Sequence, residues 1–90
     1  MPNSIYSIGD YAFANNPNMT AVNISSGVKF IGEYAFYNSN NISTIISMAT
    51  TPPTIKSSSF YGLNQVPLIV PQGCKEAYQS ASYWRSFANI

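Results

Sequence analysis

Histidine is absent from this chain of 90 residues, cysteine occurs once, and charged residues make up only 8% of it. Without histidine, the chain can form neither a Cys-His nucleophile pair nor a histidine-ligated zinc site. Cys74 has no second cysteine for a disulfide, and we interpret it as an inert side chain at the start of a helix. A net charge of +1 gives no electrostatic footprint for nucleic acid or for an anionic membrane, so we predict no nucleic-acid partner.

Side-chain carboxylates are limited to Asp10, Glu33 and Glu76. Asp10 and Glu33 occupy equivalent positions of the repeat described below, so they could lie one coil apart as a paired acid–base or metal site. Two equivalent turn caps are the interpretation that we favour. Since a glycine-rich phosphate loop is also missing, the sequence predicts a protein that is not an enzyme and that has neither cofactor nor metal.

Long apolar runs are missing as well. No run approaches the ~18 residues of a membrane-spanning helix, and residues 1–4 have neither the basic nor the apolar part of a signal peptide. We therefore expect no membrane insertion by this segment. Because residue 5 already belongs to a repeat, we also expect the chain to be the closing part of a longer array.

What the chain does have is an internal repeat. Ile-Gly-Asp-Tyr-Ala-Phe at 8–13 returns as Ile-Gly-Glu-Tyr-Ala-Phe at 31–36, and Val22 is matched at the same offset by Ile45 and then by Leu68. A fixed period in the twenties is the signature of a solenoid, in which each unit buries its apolar face against its neighbours. We therefore predict a single domain over 1–90, an α+β solenoid of short strands and helical turns.

Four segments make up this predicted domain: unit 1 (5–27), unit 2 (28–51), a degenerate unit 3 (52–71) and a C-terminal helical cap (72–90). In each full unit, a short strand and a glycine turn precede a brief helical turn capped by Asp10 or Glu33. A second strand follows, with alternating residues pointing inward. Ala12 and Phe13 are predicted to point inward as well. In unit 3, the equivalents of Ile31 and Phe36 come one position later than a strict repeat would place them.

Residues 72–90 do not repeat in the sequence. Residues 74–81 have helical composition, and Tyr83, Trp84 and Phe87 add large rings. The last coil of a solenoid exposes the edge of its core, so a terminal segment has to cover it. We predict that this segment is the cover; the alternative is that Tyr83 and Trp84 form a platform for a ligand.

These residues resemble a known family. The segment 8–13, followed by Val-Asn-Ile-Ser at 22–25 and Val-Lys-Phe-Ile-Gly at 28–32, resembles the BspA-type leucine-rich repeat of bacterial and protist surface proteins. Thr-Pro-Pro-Thr-Ile at 51–55, Leu-Ile-Val-Pro-Gln-Gly at 68–73 and the rings of Trp84 and Phe87 resemble the closing segment of such proteins in Bacteroides-like bacteria. Two departures are Ser25, where the family prefers proline, and Ile55-Lys56 in place of an Ile-Gly pair.

The resemblance implies a right-handed leucine-rich-repeat solenoid and a secreted or surface-anchored protein. It also implies binding to a host protein, to an extracellular-matrix protein or to another cell-surface protein. The first hypothesis is therefore a non-catalytic protein-binding module used in adhesion. The residues expected on its binding surface are outward strand residues and exposed tyrosines: Thr20, Asn23, Ser43, Ser47, Tyr6, Tyr37 and Tyr61.

The second hypothesis is structural. In it, the chain only caps and spaces a longer array, and it has no ligand of its own. Under either hypothesis, the strand edge that begins near Ile5 has no cover in this sequence, so we expect edge-to-edge association, most simply as a twofold dimer.

Overall fold

The strands of the chain pair in parallel, each with its equivalent in a neighbouring unit. A computed structural model describes residues 5–90, so the expectation about a leader at 1–4 lies outside the described residues. The elements in chain order are β1 (Ser7–Ile8), β2 (Ala21–Ile24), β3 (Phe30–Ile31), β4 (Thr44–Ser47), β5 (Leu68–Ile69) and the helix α1 (Lys75–Ser80). A single 3-10 turn, Trp84–Ser86, follows the helix. β1 pairs with β3, while β2, β4 and β5 form a second sheet in that order.

The register of the larger sheet follows the sequence repeat. Val22 lies opposite Ile45, and Ile45 lies opposite Leu68. All three side chains are buried. Residues that lie directly opposite each other on neighbouring parallel strands face the same side of the sheet, and here that side is the core. The predicted inward positions of unit 2 are likewise buried: Ile31, Ala35, Phe36, Ile42 and Ile45.

A column of aromatic rings runs through the core, one ring from each successive segment. The ring centroids of Phe13 and Phe36 are 5.5 Å apart, those of Phe36 and Phe60 are 5.2 Å apart, and the rings of each pair are nearly parallel. Trp84 continues the column at 5.3 Å from Phe60. The prediction that 72–90 does not repeat is therefore wrong at Trp84, which follows Phe60 at the same offset at which Phe60 follows Phe36.

Residues 72–90 are anchored to the preceding units by two buried polar side chains. The indole Nε1–H of Trp84 donates to the carbonyl of Pro53 at 2.7 Å. The hydroxyl of Tyr78, on α1, donates to the carbonyl of Ala49 at 2.6 Å and lies 2.6 Å from Ser47 Oγ. Since Trp84 is fully buried, the alternative of an exposed platform built on Trp84 is wrong. The predicted helix at 74–81 is confirmed by α1.

The buried phenol of Tyr78 predicts a loss of stability at alkaline pH. Burial raises the pKa of Tyr78 above its ordinary value of 10.0, a hydrogen bond from Ser47 partly opposes this, and Cys74 adds a smaller increase. The folded state therefore holds the phenol proton more tightly than the unfolded state. Its contribution to the free energy of unfolding is complete below pH 10 and is lost as the pH rises through the folded pKa. Urea titrations followed by circular dichroism between pH 8 and about 11 measure this loss, and in Tyr78→Phe it should be shallower.

The turns that open each unit differ from the prediction in three ways. Gly9 does not adopt a positive φ; Tyr11 and Tyr34 do, with φ of 58° and 54°. The residues from 10 to 15 form turns rather than a capped helical turn. The Asp10 carboxylate accepts a hydrogen bond from the Glu33 backbone N–H at 2.7 Å, so it links two units instead of capping its own. Ala12, predicted to point inward, is exposed.

Uncharged side chains link the units across the surface. Ser39 Oγ donates to the carbonyl of Phe13 at 2.9 Å, and Asn38 Nδ2 donates to Asn15 Oδ1 at 3.0 Å. Each bond joins a residue of unit 1 to a residue of unit 2. The abundant Asn and Ser residues therefore connect neighbouring units in a chain that has few charges.

Candidate functional site

Four tyrosine rings form a continuous patch that crosses three units. We call this set the tyrosine patch: Tyr11, Tyr34, Tyr37 and Tyr61. The rings of Tyr11 and Tyr34 are stacked, with centroids 5.4 Å apart and an interplanar angle of 19°. Tyr37 stands nearly perpendicular to both, and its centroid lies 5.2 Å from that of Tyr34. Tyr61 lies 5.8 Å from both Tyr34 and Tyr37.

The repeat places these rings next to each other. Tyr11 and Tyr34 are equivalent positions of units 1 and 2, and Tyr37 and Tyr61 are equivalent positions of units 2 and 3. The Tyr11 N–H donates to the Glu33 carbonyl at 3.0 Å, and the Tyr34 N–H donates to the Ser58 carbonyl at 3.2 Å. These bonds hold the backbones of neighbouring units side by side, so equivalent side chains come into contact.

The patch is exposed although its rings contact one another. Tyr11 is 56% exposed, Tyr61 58% and Tyr37 39%, while Tyr34 is partly buried between its neighbours. Asn15 and Asn38 follow the patch residues closely in sequence, and their amides are bonded to each other. Tyrosine offers a large, rigid, amphipathic contact area at low entropic cost, and asparagine adds adaptable hydrogen bonding. This composition is typical of a surface that binds another protein.

The described part of the chain has no cluster of metal-ligating side chains. Within residues 5–90, no group of three or more Cys, Asp or Glu side chains is arranged to hold a metal ion. Asp10 and Glu33 are neighbours, as expected from their shared repeat position, but the contact is between the carboxylate of Asp10 and the backbone of Glu33.

The structure brings together two of the residues predicted for a binding surface. Tyr37 and Tyr61 are both part of the tyrosine patch. Tyr6 is 64% exposed and lies just before β1, outside the patch. The sequence prediction missed Tyr11 and Tyr34. Their shared repeat position was the available signal, but each directly follows Asp10 or Glu33 and so falls in the predicted helical turn, which was not part of the predicted binding surface.

The predicted strand residues are divided between the surface and the core. Thr20, Asn23 and Ser43 are exposed. The Ser43 hydroxyl donates to the Thr20 carbonyl at 3.2 Å, so part of its hydrogen-bonding capacity is used between units. Ser47 cannot belong to a binding surface, and its outward placement is wrong. It is 1% exposed because it ends β4 on the inward side and is covered by Tyr78.

None of the helices in residues 5–90 has the length and apolar character that a membrane crossing requires. The chain matches none of the curated proteins and none of the solved structures with which it was compared. A family model described as "BspA type Leucine rich repeat region (6 copies)" matches residues 1–89. That match spans nearly the whole chain and agrees with the parallel pairing of equivalent strands from successive units. The chain therefore belongs to the BspA-type leucine-rich repeat family.

Proposed function

We propose that this chain is a non-catalytic protein-binding module of a secreted or cell-surface protein, and that it serves adhesion. Its partner would be a host protein, an extracellular-matrix protein or another cell-surface protein. The observation that carries the proposal is the tyrosine patch, where four rings from three units contact one another and three of them, Tyr11, Tyr37 and Tyr61, are exposed. Aromatic residues, tyrosine among them, are enriched at the energetically dominant positions of protein interfaces.

The proposal includes the architecture that presents the patch. Units 1 to 3 would form a right-handed solenoid, and 72–90 would be its cap. The parallel register and the aromatic column support this arrangement. A repeated unit supports extended binding surfaces because it places equivalent side chains in rows. The patch consists of two such rows, one formed by Tyr11 and Tyr34 and the other by Tyr37 and Tyr61.

Binding should depend on the patch and not on exposed tyrosine in general. In the double variant Tyr37→Ala/Tyr61→Ala, affinity should fall about thirtyfold or more, because tyrosine positions that dominate an interface cost at least ~2 kcal/mol when truncated. Surface plasmon resonance against a panel of matrix and plasma proteins at physiological salt provides the measurement. Tyr6→Ala is the matched control and should change affinity less than about threefold. If Tyr6→Ala costs as much as the double variant, the binding surface lies elsewhere.

A purely structural role is the second candidate, and the burial of Tyr78, Trp84 and Phe87 in the last segment favours it. In that role, 72–90 covers the end of an array and the chain has no ligand of its own. The same protein panel separates the two candidates. Saturable binding by the isolated chain contradicts the structural role, and its absence across the panel contradicts the adhesive one.

We also propose that the chain associates through the edge formed by unit 1. β1 and β2 lie at the edges of their sheets, and Ala12 is exposed whereas its equivalent in unit 2, Ala35, is fully buried. Unpaired strand edges favour pairing with a second chain. Sedimentation equilibrium should show a concentration-dependent dimer, and a monomer at every concentration would contradict this proposal.

A further inference from the structure

We propose that the tyrosine patch recognises an arginine side chain on a loop of its protein partner. In this arrangement the guanidinium stacks on a tyrosine ring and pairs with the carboxylate of Glu33. The inference rests on the proposed function, because it names the chemistry that the partner presents to the same surface. Three features lead to it: a carboxylate next to the patch that is free for pairing, three exposed tyrosines in the patch, and a strained backbone at two of its tyrosines.

The carboxylate belongs to Glu33, which directly precedes Tyr34 in the chain. Its N–H donates to Asp10 Oδ1 at 2.7 Å, and its carbonyl accepts from Tyr11 at 3.0 Å. The Glu33 backbone is therefore fixed beside Asp10 and Tyr11. Within residues 5–90, Glu33 makes hydrogen bonds only through its backbone, and the residue is exposed. Its carboxylate is thus available to a cation from outside.

Acidic residues directly precede two tyrosines of the patch; Asp10 shares a surface cavity with Lys56, whereas Glu33 does not line that cavity. The chain has three acidic residues, and two of them, Asp10 and Glu33, directly precede the patch residues Tyr11 and Tyr34. The faces of aromatic rings carry negative electrostatic potential, which attracts cations. The Glu33 carboxylate and the tyrosine rings therefore both favour a positively charged ligand.

Arginine fits this surface better than other cations do. Its guanidinium is planar, so it can stack on a ring while its N–H groups bind a carboxylate, whereas a lysine ammonium acts as a compact point charge. A cage for a quaternary ammonium would need open space between its walls. The rings of the patch instead contact one another, with centroids 5.2 to 6.4 Å apart. A proline-rich peptide would use the rings and leave the carboxylate without a partner.

The backbone of the patch supports a role for the rings at the surface. Tyr11 and Tyr34 have φ of 58° and 54°, a region that is unfavourable for bulky residues and is adopted more readily by Gly and Asn. Tyr11 remains 56% exposed, so burial of its side chain offsets little of the free-energy cost of this backbone conformation. Strained residues cluster at binding sites, where the surrounding structure holds them in place. The left-handed tyrosines at this position in both full units, of which Tyr11 is the exposed one, therefore support a role for the patch in binding.

A short peptide tests the chemistry without a known partner. The probe is an acetylated and amidated Gly-Arg-Ser-Arg-Gly peptide, titrated into ¹⁵N-labelled protein at low salt and followed by amide chemical shifts. Two matched peptides carry citrulline, the neutral isostere of arginine, or lysine in place of both arginines. We expect saturable shifts at the patch for the arginine peptide, and binding at least about tenfold weaker for the citrulline peptide. Lysine should fall between the two.

Variants of the protein test the role of the carboxylate. Glu33→Gln should weaken binding of the arginine peptide about threefold and reduce its dependence on salt. Glu76→Gln, in α1, removes the same charge away from the patch and should leave binding unchanged. Equal binding of arginine and citrulline peptides overturns the inference, as does an equal effect of the two Glu variants or an absence of shifts at the patch. If a panel protein still binds through Tyr37 and Tyr61 in those cases, the proposed function stands and only the arginine chemistry fails.

Discussion

Replacement of Trp84 by alanine should lower the free energy of unfolding by about 3–5 kcal/mol. Trp84 is fully buried and contacts the rings of Tyr78, Phe60 and Phe87, with centroid distances of 5.0, 5.3 and 5.8 Å. Its loss would open a cavity at the end of the aromatic column. It would also leave the Pro53 carbonyl without the indole donor. A domain of this size has a total stability of roughly 5–13 kcal/mol, so this one change removes much of it.

Urea unfolding followed by far-ultraviolet circular dichroism measures the Trp84 effect without relying on tryptophan fluorescence. Arg85→Ala is the matched control, because Arg85 lies in the same 3-10 turn and is exposed. It should change stability by less than about 0.5 kcal/mol. Trp84→Phe keeps a ring but not the donor and should cost about 1–3 kcal/mol. A cost of Trp84→Ala no larger than that of Arg85→Ala would show that 72–90 does not stabilise the preceding units.

Replacement of Gly32 by alanine should be the most damaging of the small substitutions, at about 2–3 kcal/mol. A Cβ on Gly32 would lie 2.3 Å from Asp10 Oδ1, 2.6 Å from the Asp10 backbone nitrogen and 2.8 Å from the Gly9 carbonyl carbon. Two of these atoms belong to the backbone of unit 1, so a side-chain rotation cannot relieve the clash. The two units would have to move apart, and the bond between Asp10 and the Glu33 N–H would weaken.

The sequence contains its own control for this effect. Gly9 is the equivalent residue of unit 1, and a Cβ placed there meets no atom within 4 Å. Its φ is also outside the left-handed region. Gly9→Ala should therefore be neutral or stabilise by up to about 1 kcal/mol, because alanine restricts the unfolded chain. Thermal unfolding of both variants under the same conditions provides the comparison, and equal effects would contradict the close contact at Gly32.

The spacing of the repeat contains the information that sets the pairing of strands, although the strands were predicted without a statement of how they pair. Val22, Ile45 and Leu68 are apolar and evenly spaced in the sequence, and a regular period of this kind admits one parallel register in which all three are buried together. The extra position in unit 3 also agrees with the structure, because Phe30 pairs with Thr54 and Phe36 stacks on Phe60. Strand pairing depends on local alternation and repeat length, and both are visible in the chain.

Two of the incorrect placements, those of Ser47 and Asp10, share a physical cause, which is contact between segments distant in sequence. Ser47 is a polar residue in a position that its equivalent, Ile24, fills with a buried apolar side chain, and its hydroxyl has its closest partner in the distant Tyr78, at 2.6 Å. Aspartate is a residue type that often caps a helix, but the donor that the Asp10 carboxylate binds is the Glu33 N–H of the next unit. Sequence reasoning within one unit cannot identify such partners.

The tyrosine patch was predicted only in part for a related reason. Tyr37 and Tyr61 were expected to be exposed, whereas Tyr11 and Tyr34 depend on left-handed backbone conformations that alter the direction of the side chain. That conformation is rare for a bulky residue, so the residue type gave no indication of it. The ring contacts of the patch could therefore be identified only once the relative positions of neighbouring units were known.

The constant offset between paired residues also has a consequence for how the chain reaches its native state. The residues that pair between strands, and the aromatic residues that stack, are separated by nearly equal numbers of residues in the sequence. Each of these contacts closes a loop of about the same length, so the entropic cost of closing it is nearly the same throughout. The order in which units assemble is then set by the strength of the contacts rather than by their distance along the chain. Among the buried rings, contacts are densest around Phe60 and Trp84, so we expect this part of the chain to assemble early.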